Sequence, residues 1–279
     1  MRIAINNPDM GFFVHLLWYI PILIISAKHD IPVDLACTSR NYVSPARGPD
    51  FARYFFTDRH AAQRSTLSAL PWRTIRTIGD VVTDDDRLLG DFAKAHRVFF
   101  ERYAVQPWVM ETLDAQMPSR PRGSRLIGVH YRGTDKKFEA PRIAYEHMLA
   151  LIDRELSRSA DAQIFLATDE APFLEACRGR YGARLLFLRD FARSMDGHAV
   201  HRHRSYDGFL LGRDAMLNCM ALSRCDVVIK TPSILSGWAK IMNPALEMYL
   251  VTRPFSACTW FPDRALPSHP DSVEGPAAG

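Results

Sequence analysis

Cysteine is sparse and unpatterned. Cys37, Cys177, Cys219, Cys225 and Cys258 make an odd number with no C-x-x-C pair. A chain of 279 residues is long enough to bury its own core. A disulfide scaffold is therefore not indicated, and the thiols read as reduced in a reducing compartment. Lysine is scarce too, six residues against 29 arginines. The net charge of +4 is a mild bias towards anionic partners, without the basic stripe of a nucleic-acid binder, so no nucleic-acid partner is expected. Long apolar runs are missing. Phe12 to Ile25 is the nearest candidate, but His15 and Pro21 interrupt it and it falls short of the roughly 20 apolar residues a membrane span needs. With only Arg2 and Asp9 ahead of it, it also makes a poor signal peptide. No integral membrane segment and a cytoplasmic location are expected. At 47% hydrophobic and 24% charged residues, disorder and collagen-like repeats are excluded.

What is present is an alternation of strands and helices. Arg2 to Asn6 reads as a strand, followed by a turn and the buried helix just described; Pro32 to Ala36 and Arg73 to Ile78 read as strands. Helical spacing covers Arg87 to Tyr103 and Gln106 to Met117. Pro118 to Gly123 packs two prolines and a glycine into six residues, which reads as a domain boundary. Beyond it, strands are expected at Arg125–Tyr131, Gln163–Thr168, Arg184–Leu188, Asp226–Lys230 and Leu246–Val251. Helices are expected at Ile143–Leu156, Glu170–Tyr181 and Gly212–Arg224. Short apolar strands alternating with helices indicate βαβ units and parallel sheets. The reading is an α/β protein of two Rossmann-like domains with an interdomain cleft. An N-terminal domain spans 1–118, a second spans 119–266, and 267–279 forms a Pro/Gly/Ala-rich disordered tail. In such folds ligands bind at the carboxyl ends of the strands.

One motif sits at such an end. His130-Tyr131-Arg132-Gly133-Thr134-Asp135-Lys136 directly follows the apolar strand. Arg132 can give two parallel N–H bonds to phosphate oxygens, Lys136 adds a point charge and His130 one more donor. Asp135 beside phosphate would be repulsive, so its task is to hold the loop in shape. A surface turn with unrelated charges is the alternative reading.

The string GVHYRGTDK resembles the His-x-Arg-x-x-Asp-Lys motif of the α1,6-fucosyltransferase and protein O-fucosyltransferase superfamily. Ile164 to Gly182 and Gly212 to Ser236 resemble two further family segments, in family order. The resemblance covers about half the chain, roughly residues 125–251. It implies a GT-B-like fold and an inverting, metal-independent transfer of a sugar, with fucose expected, from a GDP-sugar to a glycan hydroxyl. The N-terminal domain would be the acceptor side and the second domain would bind the nucleotide sugar; no cofactor is implied beyond that donor. By position, His130 and Arg132 would contact the diphosphate, Asp135 and Lys136 would support the loop, and Asp169 would lie near the donor. Thr231 and Ser233 would offer hydroxyls or N–H groups to the phosphates, while Asp226 reads as structural. Glu139 is the candidate base, with a solvated loop carboxylate as the equal alternative. Two departures stand out. Gly133 occupies the place of a second arginine, with Lys137 and Arg142 as nearby cations. Asn218 falls where the family has a guanine-reading carboxylate, and Asp214, one helical turn earlier, is a substitute.

Other clusters are read more plainly. Asp84-Asp85-Asp86 contains a D-x-D but precedes the helix expected from Arg87, so it reads as a cap. His198, His201 and His203, with Arg202 and Arg204, read as a basic loop rather than a metal site. Besides an active glycosyltransferase, the sequence leaves open a weak or inactive nucleotide- or glycan-binding relative, and an unrelated phosphate-handling α/β enzyme.

Overall fold

A computed structural model of the chain describes residues 1–80, 91–117, 123–134, 142–195, 207–253 and 260–273. The chain divides into two compact units, one of residues Met1–Thr112 and Arg204–Leu217, the other of Leu113–His203 and Asn218–Gly279. The division thus comes a few residues before the Pro/Gly cluster, and a short segment returns to the first unit.

The first unit contains β1 (Arg2–Ile5), α1 (Phe12–Leu17), α2 (Tyr19–Lys28), β2 (Asp34–Cys37), α3 (Ala52–Phe55), β3 (Phe56–Asp58), α4 (Ala61–Leu67) and β4 (Trp72–Ile75). α5 (Phe92–Arg102), β5 (Tyr103–Val105) and the start of α6 (Pro107–Gln116) complete it. Its sheet is parallel, in the order β2-β1-β4. The apolar N-terminal run forms two helices, not one, which bury Phe12, Phe13, Leu16, Ile20 and Ile22. Phe12 meets the rings of Tyr42, Phe51 and Phe55 at centroid distances of 5.2–5.4 Å. α5 is capped by Asp91, which accepts from the N–H groups of Ala93 and Lys94. Asp84–Asp86, expected to cap a helix from Arg87, lie outside the described residues. β3 and β5, a pairing missed in the sequence, are antiparallel. They are locked by buried Arg102, whose guanidinium donates to both Asp58 oxygens at 3.2 Å.

The second unit runs β6 (Leu126–Tyr131), α7 (Tyr145–Ser157), β7 (Gln163–Thr168), α8 (Ala171–Tyr181), β8 (Leu185–Leu186), most of the second half of α9 (Gly208–Ser223), β9 (Val227–Lys230), α10 (Ile234–Met242), β10 (Glu247–Thr252) and β11 (Ser268–Val273). All six strands are parallel, in the order β11-β10-β9-β6-β7-β8. β6 is buried along its whole length between β7 and β9. Its start is fixed by Asp226, which accepts from the Leu126 N–H at 2.7 Å, the structural role read for it. The chain winds outwards in one direction through β7 and β8, and in the other through β9, β10 and β11. The order therefore reverses between β6 and β9, and the carboxyl ends there form the topological switch point where open parallel sheets bind ligands.

α9 begins among first-unit residues through two glycines one turn apart. A Cβ at Gly208 would stand 2.7 Å from the Tyr42 carbonyl carbon, and one at Gly212 2.9 Å from the Phe55 ring. Only glycine permits so close an approach.

The expected disordered tail is corrected over residues 268–273. These form β11 on β10, with His269 buried and Arg154 paired to Asp271. The Pro/Ala/Gly composition that suggested disorder belongs to the last residues, which are outside the described set. Among the described residues no helix is long and apolar enough to cross a membrane.

Removing residues 267–279 is expected to lower the melting temperature by roughly 5–10 °C in a thermal scan, as loss of an edge strand should. An unchanged value would mean that β11 adds nothing. Arg102→Met is expected to cost about 3 kcal/mol, read from the urea midpoint, because it leaves a buried carboxylate. Burial raises the Asp58 pKa, but the hydrogen bonds and charge of Arg102 outweigh it and the carboxyl titrates below its ordinary value. This contribution is therefore present above about pH 4 and fades as pH falls through the depressed pKa.

Candidate functional site

At the switch point, the tips of β6, β7 and β9 bring together His130, Arg132, Asp169, Thr231 and Ser233. The β6 and β9 tips are tied first through the backbone. The Thr231 N–H donates to the His130 carbonyl at 3.0 Å, and the Arg132 N–H donates to the Thr231 hydroxyl at 2.9 Å. Asp169 then grips the turn from β7. Its oxygens accept from the Gly133 N–H at 3.2 Å and the Thr134 hydroxyl at 2.6 Å. The Arg132 Nε stands 3.9 Å from Asp169, an ion pair too long for a hydrogen bond, and its side chain is about a quarter exposed at 23%. Asp169 therefore shapes the loop instead of simply neutralising its cation.

The neighbouring acid sets the shape of position 133. Glu170 is buried, accepts from the Tyr145 hydroxyl at 2.5 Å and pairs with Arg142 at 3.4 Å. A Cβ on Gly133 would lie within 2.8 Å of both Glu170 oxygens. The glycine is thus required by a carboxylate that fills the space a side chain would need. Arg142, more than half exposed, is drawn to this loop by Glu170, which raises its pKa. Burial and the bond to Glu170 raise that of Tyr145.

Beneath the loop lies a buried polar network. Lys230 ends β9 and donates to Asp263 Oδ1, both side chains having no exposure. Asp263 Oδ2 accepts from the Ser233 N–H at 2.6 Å. Ser233 is the N-cap of α10, yet its side chain makes no cap bond, and among the described residues its buried hydroxyl has no hydrogen-bond partner. Both N–H groups and the Thr231 hydroxyl are occupied within the fold, while the Ser233 hydroxyl is enclosed, the residue having no exposure. It stands where the N–H groups of the first helical turn have no intrahelical partner and an anion is favoured. His130 is buried, with Nδ1 3.1 Å from the Ser236 hydroxyl. Burial, then Lys230 and Arg132, push its pKa well below the ordinary value, so the ring is neutral.

Asp214 and Asn218 sit one turn apart on α9, both half-buried, and the Asp214 carboxylate is held by Arg213 at 2.8 Å. Asp135, Lys136 and Glu139 lie outside the described residues, as do His198, His201 and His203. Sequence reasoning missed Glu170, Tyr145, Lys230, Ser236 and Asp263. Only Lys230 carried a signal, a lysine inside an apolar strand. Among the described residues no group of three His, Cys, Asp or Glu is placed to hold a metal.

Residues 79–255 match the profile of the nodulation protein Z (NodZ) family, over more than half of the chain. The chain belongs to the NodZ family. It is thereby a glycosyltransferase of the fucosyltransferase superfamily, with the α/β, parallel-sheet architecture of GT-B enzymes. The NodZ α1,6-fucosyltransferase co-crystallised with GDP shares the fold at a TM-score of 0.56 and 17% identity, over 87% of this chain and 93% of that one. The fucosyltransferase NodZ from Bradyrhizobium matches equally, with a TM-score of 0.56, 17% identity, and coverage of 87% and 94%. A variant of Arabidopsis thaliana FUT1 in complex with GDP gives 0.52 and 10%, over 94% and 73%. At such identities the likeness is one of fold. Among curated proteins no sequence matches the chain.

Gly133→Ala in this NodZ-family chain is expected to cost about 1–3 kcal/mol by overpacking against Glu170. In thermal denaturation, Gly133→Ala combined with Glu170→Ala should not lose the sum of the two single effects. Strict additivity would remove the proposed contact.

Proposed function

We propose that this protein is an inverting fucosyltransferase that moves fucose from GDP-fucose to a hydroxyl of a glycan acceptor without a metal ion. The observation that carries the reading is the arrangement at the β6–β9 switch point. A partly exposed guanidinium, Arg132, and an unpartnered hydroxyl, Ser233, stand at adjacent strand tips on a loop that Asp169 holds in shape. Solved NodZ fucosyltransferases co-crystallised with GDP and soaked with GDP-fucose support the donor.

In the reaction, the acceptor oxygen attacks the anomeric carbon of fucose from the face opposite GDP. The bond from that carbon to the β-phosphate oxygen breaks, its electron pair stays on GDP, and the hydroxyl proton passes to a base. Arg132 and Lys136 stabilise the charge that accumulates on the leaving diphosphate, the work a divalent ion does in other transferases. His130, neutral, adds a hydrogen bond, and the Ser233 hydroxyl at the start of α10 adds another. Asp135 supports the loop and Glu139 is the proposed base. Asn218 and Asp214 of α9 are assigned to the guanine base, and the first unit to the acceptor. A cytoplasmic location fits the buried free thiols of Cys37, Cys177, Cys219 and Cys225.

A thermal-shift panel of GDP, GDP-fucose, GDP-mannose, UDP and ADP tests the reading. GDP and GDP-fucose at 100 times their Kd should each add about 2.7 kcal/mol of stability. Arg132→Ala should weaken GDP roughly tenfold or more, as loss of a charge-assisted hydrogen bond does. Absence of any nucleotide response would end the proposal. GDP binding with no GDP release from GDP-fucose across a panel of glycan acceptors would favour a binding-only relative, to which the glycine at 133 also points.

A further inference from the structure

The His130 ring is neutral and carries one proton, and the partner of one nitrogen decides which nitrogen holds it. Among the described residues, Nδ1 of the ring meets the Ser236 hydroxyl at 3.1 Å, and the ring also interacts with the backbone of Thr231, the residue after β9. That hydroxyl has a single proton and two acceptors within reach. One is Nδ1; the other is the Ser233 carbonyl at 3.3 Å. The two choices give opposite rings. If the serine donates to the carbonyl, the ring must donate from Nδ1, and Nε2 is left as an acceptor that repels phosphate oxygens. If the serine donates to Nδ1, the proton sits on Nε2 and the ring can donate to an anion.

The fold favours the second arrangement. The Ser233 carbonyl already accepts the helical N–H of Gly237 at 3.1 Å, so it is satisfied without the serine. Nδ1, in a buried ring, faces the Ser236 hydroxyl. The geometry is fixed from two sides. His130 is held in β6 opposite Lys230 of β9, and the first turn of α10 is packed against the 260–265 segment so closely that a Cβ on Gly237 would overlap Pro262.

We propose that Ser236 is a positioning residue that holds His130 with its proton on Nε2, making the ring a hydrogen-bond donor to the diphosphate of the donor sugar. This rests on the reading that His130 contacts that diphosphate. The serine touches no reacting atom and acts through the imidazole alone.

Long-range proton–nitrogen NMR on the full-length protein with 15N-labelled histidine tests it, the His130 signals being assigned by their loss in His130→Gln. The wild type should show the Nε2–H pattern. Ser236→Ala, which suits a helix and leaves the fold intact, should shift the ring towards the Nδ1–H or a mixed pattern and weaken GDP binding roughly tenfold. Ser236→Thr, which keeps the hydroxyl, should restore both. An Nδ1–H ring in the wild type, or a ring indifferent to Ser236→Ala, overturns the assignment. A wild type that binds no GDP while its tautomer still follows residue 236 overturns the diphosphate reading and upholds the serine's control of the ring.

Discussion

A lysine and an aspartate with no solvent exposure, Lys230 and Asp263, face one another under the proposed donor site. Removing two such charges from water costs several kcal/mol each before their attraction offsets it, and a well-packed apolar pair would serve stability as well. The pair does more than close a charge. The second oxygen of Asp263 takes the Ser233 N–H, which sets where β9 ends and α10 begins. That N-cap position keeps the Ser233 hydroxyl unengaged, and the nearby lysine charge helps keep His130 neutral. One buried ion pair thus shapes the strand tips and adds to the burial that, as the larger cause, lowers the His130 pKa.

Above it, charge is distributed by neighbouring acids with different tasks. Asp169 accepts two hydrogen bonds from the 133–134 turn, and Arg132 stays partly exposed. Glu170, buried, gathers Tyr145 and Arg142. A phosphate would meet a loop whose backbone is already held, so that little ordering remains to oppose binding.

The second unit was largely legible because its strands are continuous apolar runs. Gln163–Thr168 falls on β7 residue for residue, and the winding order follows from alternation with helices. The motif at His130–Arg132 was legible because it ends such a strand. What stayed hidden depends on contacts between distant segments. β3 and β5 are three residues each and exist through the Arg102–Asp58 pair, 44 positions apart in sequence. β11 contains a proline and four polar residues and is a strand only because β10 offers it an edge. Asp263 looks like an ordinary turn residue until Lys230 is placed beside it.

The fit between Gly133 and Glu170 also constrains how this site can change over generations. A larger residue at 133 collides with the carboxylate while Glu170 stands, and loss of Glu170 alone releases Tyr145 and Arg142 and opens a void. Each first step is a handicap that only the second relieves. The two positions are therefore expected to drift together, each setting what the other can become.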